Sequence, residues 1–192
     1  MTKKIKTNDP NWVKPKTHLG ASQFAAALGL SIFLSPEDLT HRLEHGYRWE
    51  GSASTKFGHQ KEKLAKYFYS KLTKNKIRRA YFVKDLKYPR LVGICDGLVG
   101  NEGGVEIKCH YNKGEPLREI PIYYLVQVAG YLNLYNRVWW DFMSCCFNEV
   151  DQICKCKIIR VYREDIQDAW ENEWLPQLLD FINRVQWKLP VK

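Results

Sequence analysis

Residues 92–110, VGICDGLVGNEGGVEIKCH, limit what this chain can fold into more than any other stretch. They read as two short strands joined by a turn. Val92, Ile94, Leu98 and Val99 mark the first strand; Asn101, Glu102, Gly103 and Gly104 are turn-formers; Val105 to Cys109 make the second. Side chains alternate along a strand, so Glu106 and Lys108 project from one face while Val105 and Ile107 point into core. Asp96 interrupts the apolar run of the first strand just before Gly97, and a hairpin brings it across the ladder toward Glu106. Two carboxylates so close repel unless a cation lies between them. An oxygen-rich site of this kind suits Mg²⁺ or Mn²⁺, and a lysine beside it can orient water or stabilise charge in a transition state. Each half also has a plain structural reading: Glu-Ile-Lys fits any solvated strand face, and Asp-Gly fits any turn.

The 192 residues suit one domain with a full core, divided here into a basic arm, 1–17, and a single domain, 18–192. With 45% hydrophobic and 14% aromatic residues, wholesale disorder is excluded. The net charge of +9 favours a polyanionic partner. No stretch approaches the ~20 apolar residues that span a bilayer, so no membrane is expected. No apolar segment follows the basic start, so the protein is expected to be intracellular and not secreted. In that reducing setting Cys95, Cys109, Cys145, Cys146, Cys154 and Cys156 read as free thiols. Their Cys-Cys…Cys-x-Cys spacing is not that of zinc ribbons, and neither zinc nor an iron–sulfur cluster is expected. Cys154 and Cys156 lie two apart in a strand-like ICKCKIIRVY.

Taken in order, the arm carries Lys3, Lys4, Lys6, Lys14 and Lys16 and either tracks a phosphate backbone or is solvated. Ser22 is placed to cap an apolar helix, SQFAAALGL, whose start is a natural phosphate site. Ser35-Pro36-Glu37-Asp38 opens a second helix that closes at Gly46; His41 and His45 on it lack a third ligand and read as surface residues. Residues 56–72 form a third helix with Phe57, Leu64, Phe68 and Leu72 toward the core and Gly58, Glu62, Ala65 and Tyr69 on the adjoining face. On helix physics alone Glu62 is an exposed acid paired with Lys66 at i+4. Lys71 to Arg79 is the start of the densest positive region, and Ala80 to Val83 looks like a strand. Residues 122–135 make a buried helix in which Gln127 needs a partner. Residues 137–147 and 153–162 read as a hairpin. A long amphipathic helix from Arg163 to about Trp187, bent at Pro176, closes the chain. This order predicts an α/β or α+β sandwich around a mixed sheet.

Together GASQFAAALG (20–29), FGHQKE (57–62), ICDG (94–97), GVEIKC (104–109) and YYLVQVAGYL (123–132) resemble the lambda-exonuclease-type, YqaJ-like viral recombinase nucleases of the PD-(D/E)XK superfamily. The five pieces come in the family's order over residues 18–165. The resemblance implies a restriction-endonuclease-like core, a mixed central β-sheet flanked by helices. It implies that Asp96 and Glu106 hold the metal with the Ile107 carbonyl, that Lys108 positions the attacking water, that Glu62 completes the acidic cluster, and that Gln127 orients the lysine or a water. Ser22 would touch substrate phosphate. Two departures stand out. The Ser-Pro usual before the catalytic aspartate is Ile94-Cys95 here, and no arginine precedes Arg42; Lys14, Lys16 or His18 would have to take the place of the arginine that holds a 5′ phosphate.

The activity so implied is hydrolysis of double-stranded DNA from its ends, 5′→3′, with one or two Mg²⁺ or Mn²⁺ ions, for recombination, repair or viral genome processing. The implied partners are a single-strand annealing protein and other copies of the chain in a trimer, and the implied setting for a viral protein is host cytoplasm or nucleus. Two alternatives stay open: an endonuclease of the same superfamily and a non-catalytic DNA-binding protein. Binding alone requires no paired carboxylates, which are costly beside a polyanion.

Overall fold

The computed structural model describes residues 12–13, 16–48, 52–111, 115–148 and 152–188; most of the basic arm, Lys14 included, lies outside them. Its centre is a five-stranded sheet in the order β10-β9-β8-β7-β4. The strands are β4 (Ile77–Arg78), β7 (Gly97–Val99), β8 (Gly103–Tyr111), β9 (Trp139–Phe147) and β10 (Ile153–Tyr162). All neighbours are antiparallel except β8 and β9, which run parallel. A parallel pair needs a long crossover, and the helix α4 (Ile122–Leu134) supplies it. A smaller sheet of β2 (Leu19–Gly20), β6 (Leu91–Gly93) and β5 (Val83–Lys84) lies beside it, and β1 (Trp12–Val13) pairs with β3 (Tyr47–Arg48).

Helices cover both faces of the large sheet. On one face α4, apolar but for Gln127 and Asn133, is buried from Val126 to Leu132, as befits a helix enclosed on most sides. Outside it pack α1 (Phe24–Ala27), α2 (Pro36–His45), α5 (Arg163–Ala169) and α6 (Leu175–Arg184). On the other face α3 (Ala53–Thr73) covers Val105, Ile107, Met143 and Cys145. Gly104 makes room for Trp140, since a Cβ there would stand 2.3 Å from its ring. The hairpin of β9 and β10, the α4 helix and the Ser35-capped α2 match the sequence expectations. His41 and His45 are exposed and stack on each other at 4.6 Å. Among the described residues no helix is long and apolar enough to cross a membrane.

Five expectations are corrected. The first strand of the 92–110 hairpin is two: β6 belongs to the small sheet and β7 to the large one, and Ile94-Cys95-Asp96 is the joint between them. Gly103 and Gly104 lie inside β8, not in the turn. The α3 helix is turned by one position: Ala65 and Tyr69 are fully buried while Leu64 and Leu72 are exposed. The cause is polar: the Tyr69 hydroxyl donates to buried Asp141 at 2.6 Å, and Asp141 also holds Arg160 at 2.8 and 2.9 Å. Ala80 to Phe82 is not a strand, since pairing is confined to Ile77–Arg78 and Val83–Lys84. Ser22 is not a helix cap; it sits exposed in a short 3₁₀ turn, Ala21–Gln23, and Gln23 Oε1 accepts the Gly20 N–H instead. The closing helix runs with one wide π turn, Trp170–Trp174, just ahead of Pro176. Proline has no N–H and its ring crowds the carbonyl four residues back, so the helix widens there.

Candidate active site

The joint at Ile94–Asp96 brings the acids together. Gly97 pairs with Val105 in antiparallel register, so Asp96 falls opposite Glu106. Gly97 is required there, because a Cβ would meet Ile77 at 2.2 Å. Asp96 Oδ2 accepts the Ile107 N–H at 2.7 Å, which fixes its carboxylate against the second strand. Burial and the facing Glu106 push the Asp96 carboxyl well above the usual carboxylate range, and Glu62 adds to the rise; the Ile107 N–H and Lys108 only partly oppose it.

Glu106 is 4% exposed. Its Oε1 accepts from Lys108 Nζ at 2.6 Å and from Gln127 Nε2 at 2.9 Å. Its Oε2 is buried and has no hydrogen-bond partner. A carboxylate oxygen without a donor is costly in the interior and calls for a compensating group. Lys108 Nζ lies 3.4 Å from Gln127 Oε1 and 4.6 Å from the centre of the Tyr124 ring. Burial pulls the Lys108 ammonium down, but the charge and hydrogen bond of Glu106, with Asp96 and Tyr124, outweigh it and raise its pKa. Lys108 is therefore a fixed cation.

The α4 helix locks this arrangement. Gln127 Nε2 lies 3.0 Å from the Tyr131 hydroxyl, which donates to the Ile94 carbonyl at 3.0 Å. A continuous chain of bonds thus runs from the joint through α4 to Glu106 and Lys108. Tyr131 and Tyr124 were not singled out in the sequence; their signal is their place on the face of Gln127, at i+4 and i−3. On α3 Glu62 is ion-paired with Lys66 as helix spacing predicts, yet it stands near enough to raise the Asp96 carboxyl. The turned helix explains both, because Glu62 shares the sheet-facing side with Ala65 and Tyr69.

Asp96, Glu106, Ile107, Lys108, Gln127 and, from the side, Glu62 are thus drawn together. Ser22 follows β2 at the end where Asp96 follows β6, because those strands run parallel. Lys16 and His18 lie at the opposite end, where β6 begins after Arg90. His18 contacts Phe82, and burial with the charges of Lys16 and Lys84 lowers its pKa.

Among the described residues no three His, Cys, Asp or Glu side chains form a cage for a metal ion. Mg²⁺ does not demand one: it keeps several waters and takes one or two carboxylates plus substrate oxygens. Asp96 and Glu106, with the orphaned Glu106 Oε2, fit that mode. Beside them opens a cleft of about 490 Å³ lined by Lys66, Tyr67, Arg78, Arg79, Ile94 and Asp96. Arg78 and Arg79 in its wall belong to the positive region noted in the sequence, and Lys66 comes from α3.

The chain is similar to known proteins in its sequence pattern and in its fold. A model of the YqaJ-like viral recombinase domain matches residues 11–135. Among solved structures, the chain is similar to an alkaline exonuclease (LHK-Exo) from Laribacter hongkongensis, with 20% identity, TM-score 0.64 and coverage of 88% of this chain and 90% of that one. The same exonuclease in complex with dAMP matches equally well. A phage related exonuclease from Haemophilus somnus 129PT matches at 14% identity and TM-score 0.63, over 91% and 92% of the two chains. No curated protein matches the chain.

Proposed function

Because the chain belongs to the YqaJ-like viral recombinase domain family, we propose that it is a divalent-metal-dependent deoxyribonuclease that hydrolyses duplex DNA from its ends, 5′→3′. Its fold is the mixed α/β core of PD-(D/E)XK nucleases. The observation that carries the reading is the pair Asp96 and Glu106, set opposite each other with one buried carboxylate oxygen unpartnered and a fixed lysine alongside. The solved exonucleases similar in fold, one of them bound to dAMP, support a DNA substrate and dependence on ends.

In this reading Asp96, Glu106 and the Ile107 carbonyl hold the ion. Bound there, Mg²⁺ or Mn²⁺ would neutralise phosphate charge and make water a better nucleophile at neutral pH. The chain's own residues do the rest. Lys66, Arg78 and Arg79 draw a phosphodiester into the cleft beside Asp96. Lys108, a cation fixed by Glu106 and Gln127, orients the attacking water and stabilises negative charge as it develops on the phosphoryl oxygens. Gln127 also keeps Glu106 in place. Glu62 adds negative charge that strengthens the pull on a cation.

The test is a time course on end-labelled linear duplex with Mg²⁺, run beside a covalently closed circle. The wild type is expected to degrade the linear DNA and spare the circle. Lys108→Ala and Asp96→Ala are expected to lose at least 100-fold in kcat, in line with removal of a group that stabilises developing charge. Equal activity in the three proteins would reject the assignment; cutting of the circle would make the enzyme an endonuclease.

A further inference from the structure

A second cleft of about 520 Å³ adjoins the first and shares Arg78 and Arg79 with it. Tyr81, Leu98, Asn101, Tyr135, Asn136 and Arg137 complete its lining. Nothing in the chemistry described above uses it. Its volume is that of a site for one small ligand, and its charged groups are cationic. We infer that this cleft is a nucleotide subsite, which receives the phosphate and base next to the scissile phosphodiester on the same DNA strand. This deepens the nuclease reading and rests on it.

Three features make the cleft a built site. First, its guanidinium groups are positioned in advance. Arg78 donates to the Gly100 carbonyl and Arg137 to the Asn101 carbonyl, so the β7–β8 turn fastens one arginine from each side. An anchored guanidinium keeps further donors for an anion and has already lost its rotamer freedom. Second, Arg137 Nε is buried and has no hydrogen-bond partner, so this guanidinium is not fully satisfied within the protein. Third, an aromatic face is present. Tyr81 is 55% exposed, and its ring stands edge-on to Tyr135 at 5.4 Å, which leaves a face for a base.

The cleft is also tied to the reacting centre. The Tyr135 hydroxyl donates to the Tyr81 carbonyl and accepts the Cys95 N–H at 3.4 Å, so the floor of the second cleft is bonded to the residue before Asp96. A strand whose phosphate lies at Asp96 therefore passes along Arg78 and Arg79 into this cleft. Cation beside aromatic is the combination that binds single strands: charge follows the backbone and rings stack on bases.

The experiment measures binding and cutting separately. Affinity for a fluorescein-labelled single-stranded decanucleotide is read by anisotropy in EDTA over a range of NaCl concentrations. Arg137→Gln is expected to weaken binding about tenfold and to reduce the slope of log affinity against log salt by about one, the mark of a lost phosphate contact. Tyr81→Ala, at an exposed ring whose loss leaves the fold intact, is expected to weaken binding at least fivefold with the slope unaltered. Arg137→Lys restores the slope. A purely structural role for Arg137 would not move the slope. Wild-type affinity in both variants, or an unaltered slope in Arg137→Gln, overturns the subsite. A wild type that binds with these differences but cuts no DNA in Mg²⁺ overturns the nuclease reading and leaves the cleft as a nucleic-acid site.

Discussion

Single residues decide this site through what they leave unsatisfied. Glu106 has one oxygen doubly served by Lys108 and Gln127 and the other without a hydrogen-bond partner, a division that suits the proposed role of holding a cation. Gln127 is itself held by Tyr131, whose hydroxyl also fixes the Ile94 carbonyl two residues before Asp96. Tyr131 is thus a positioning residue that reaches the acids through Gln127 and through the joint. Groups behind metal-holding side chains are typically worth ten- to a hundredfold in affinity or activity. Tyr131→Phe keeps the ring stacked on Trp140 at 5.3 Å and removes only the hydroxyl. It is expected to lower kcat about tenfold and raise the Mg²⁺ concentration for half-maximal rate, with KM for DNA little altered. A Mg²⁺ titration of nuclease activity checks this, and an unchanged half-saturation point would show that Tyr131 serves packing alone. Asp96, Glu106 and Lys108 were legible in the sequence because strand alternation and one antiparallel step suffice to gather them. Tyr131 and Tyr124 were not, since aromatic residues on an apolar helix read as core until the lysine beside them is placed.

At the scale of elements, buried polar contacts override the apolar pattern. Leucine is more apolar than alanine, so periodicity alone turned Leu64 and Leu72 of α3 inward. The sheet chose otherwise, because Asp141 is buried beneath that helix and needs donors, which Tyr69 and Arg160 provide. Burial and the neighbouring Asp141 push the Tyr69 hydroxyl far up, so it remains a donor. The consequence reaches the active site, for the same rotation brings Glu62 to the side facing the sheet. Tyr69→Phe removes one hydrogen bond to a buried charged group, at a cost of about 2 kcal/mol. For a chain of this size that is a fall on the order of 6 °C in Tm, to be read by urea and thermal unfolding. A change below ~0.5 kcal/mol would mean that the bond does not set the helix. The joint between β6 and β7 was hidden for a related reason. A single polar residue in an apolar run does not show a change of sheet, and only the pairing of Leu91–Gly93 with β2 and β5 reveals that the chain changes sheets before Asp96.

Across the whole molecule, positive charge and a small negative centre oppose each other. The net charge of +9 and the arginine-lined clefts favour a polyanion, while Asp96, Glu106 and Glu62 repel one unless a cation intervenes. Facing carboxylates in a buried setting destabilise the fold when no cation lies between them, so on the proposed reading the pair is kept at the expense of stability. Two linked outcomes follow. Asp96→Asn retains an oxygen for the Ile107 N–H but removes the repulsion, and is expected to raise Tm in EDTA above that of the wild type. Mg²⁺ or Mn²⁺ is expected to raise the wild-type Tm, since an ion that binds only the folded state at a hundred times its Kd adds about 2.7 kcal/mol. That corresponds to a rise on the order of 8 °C here, and the rise should be absent in Asp96→Asn. Differential scanning fluorimetry of both proteins, with EDTA and with each ion, measures the two effects without any DNA present. If Asp96→Asn gains nothing in EDTA and responds to Mg²⁺ as the wild type does, the acids neither repel in the free protein nor hold the ion.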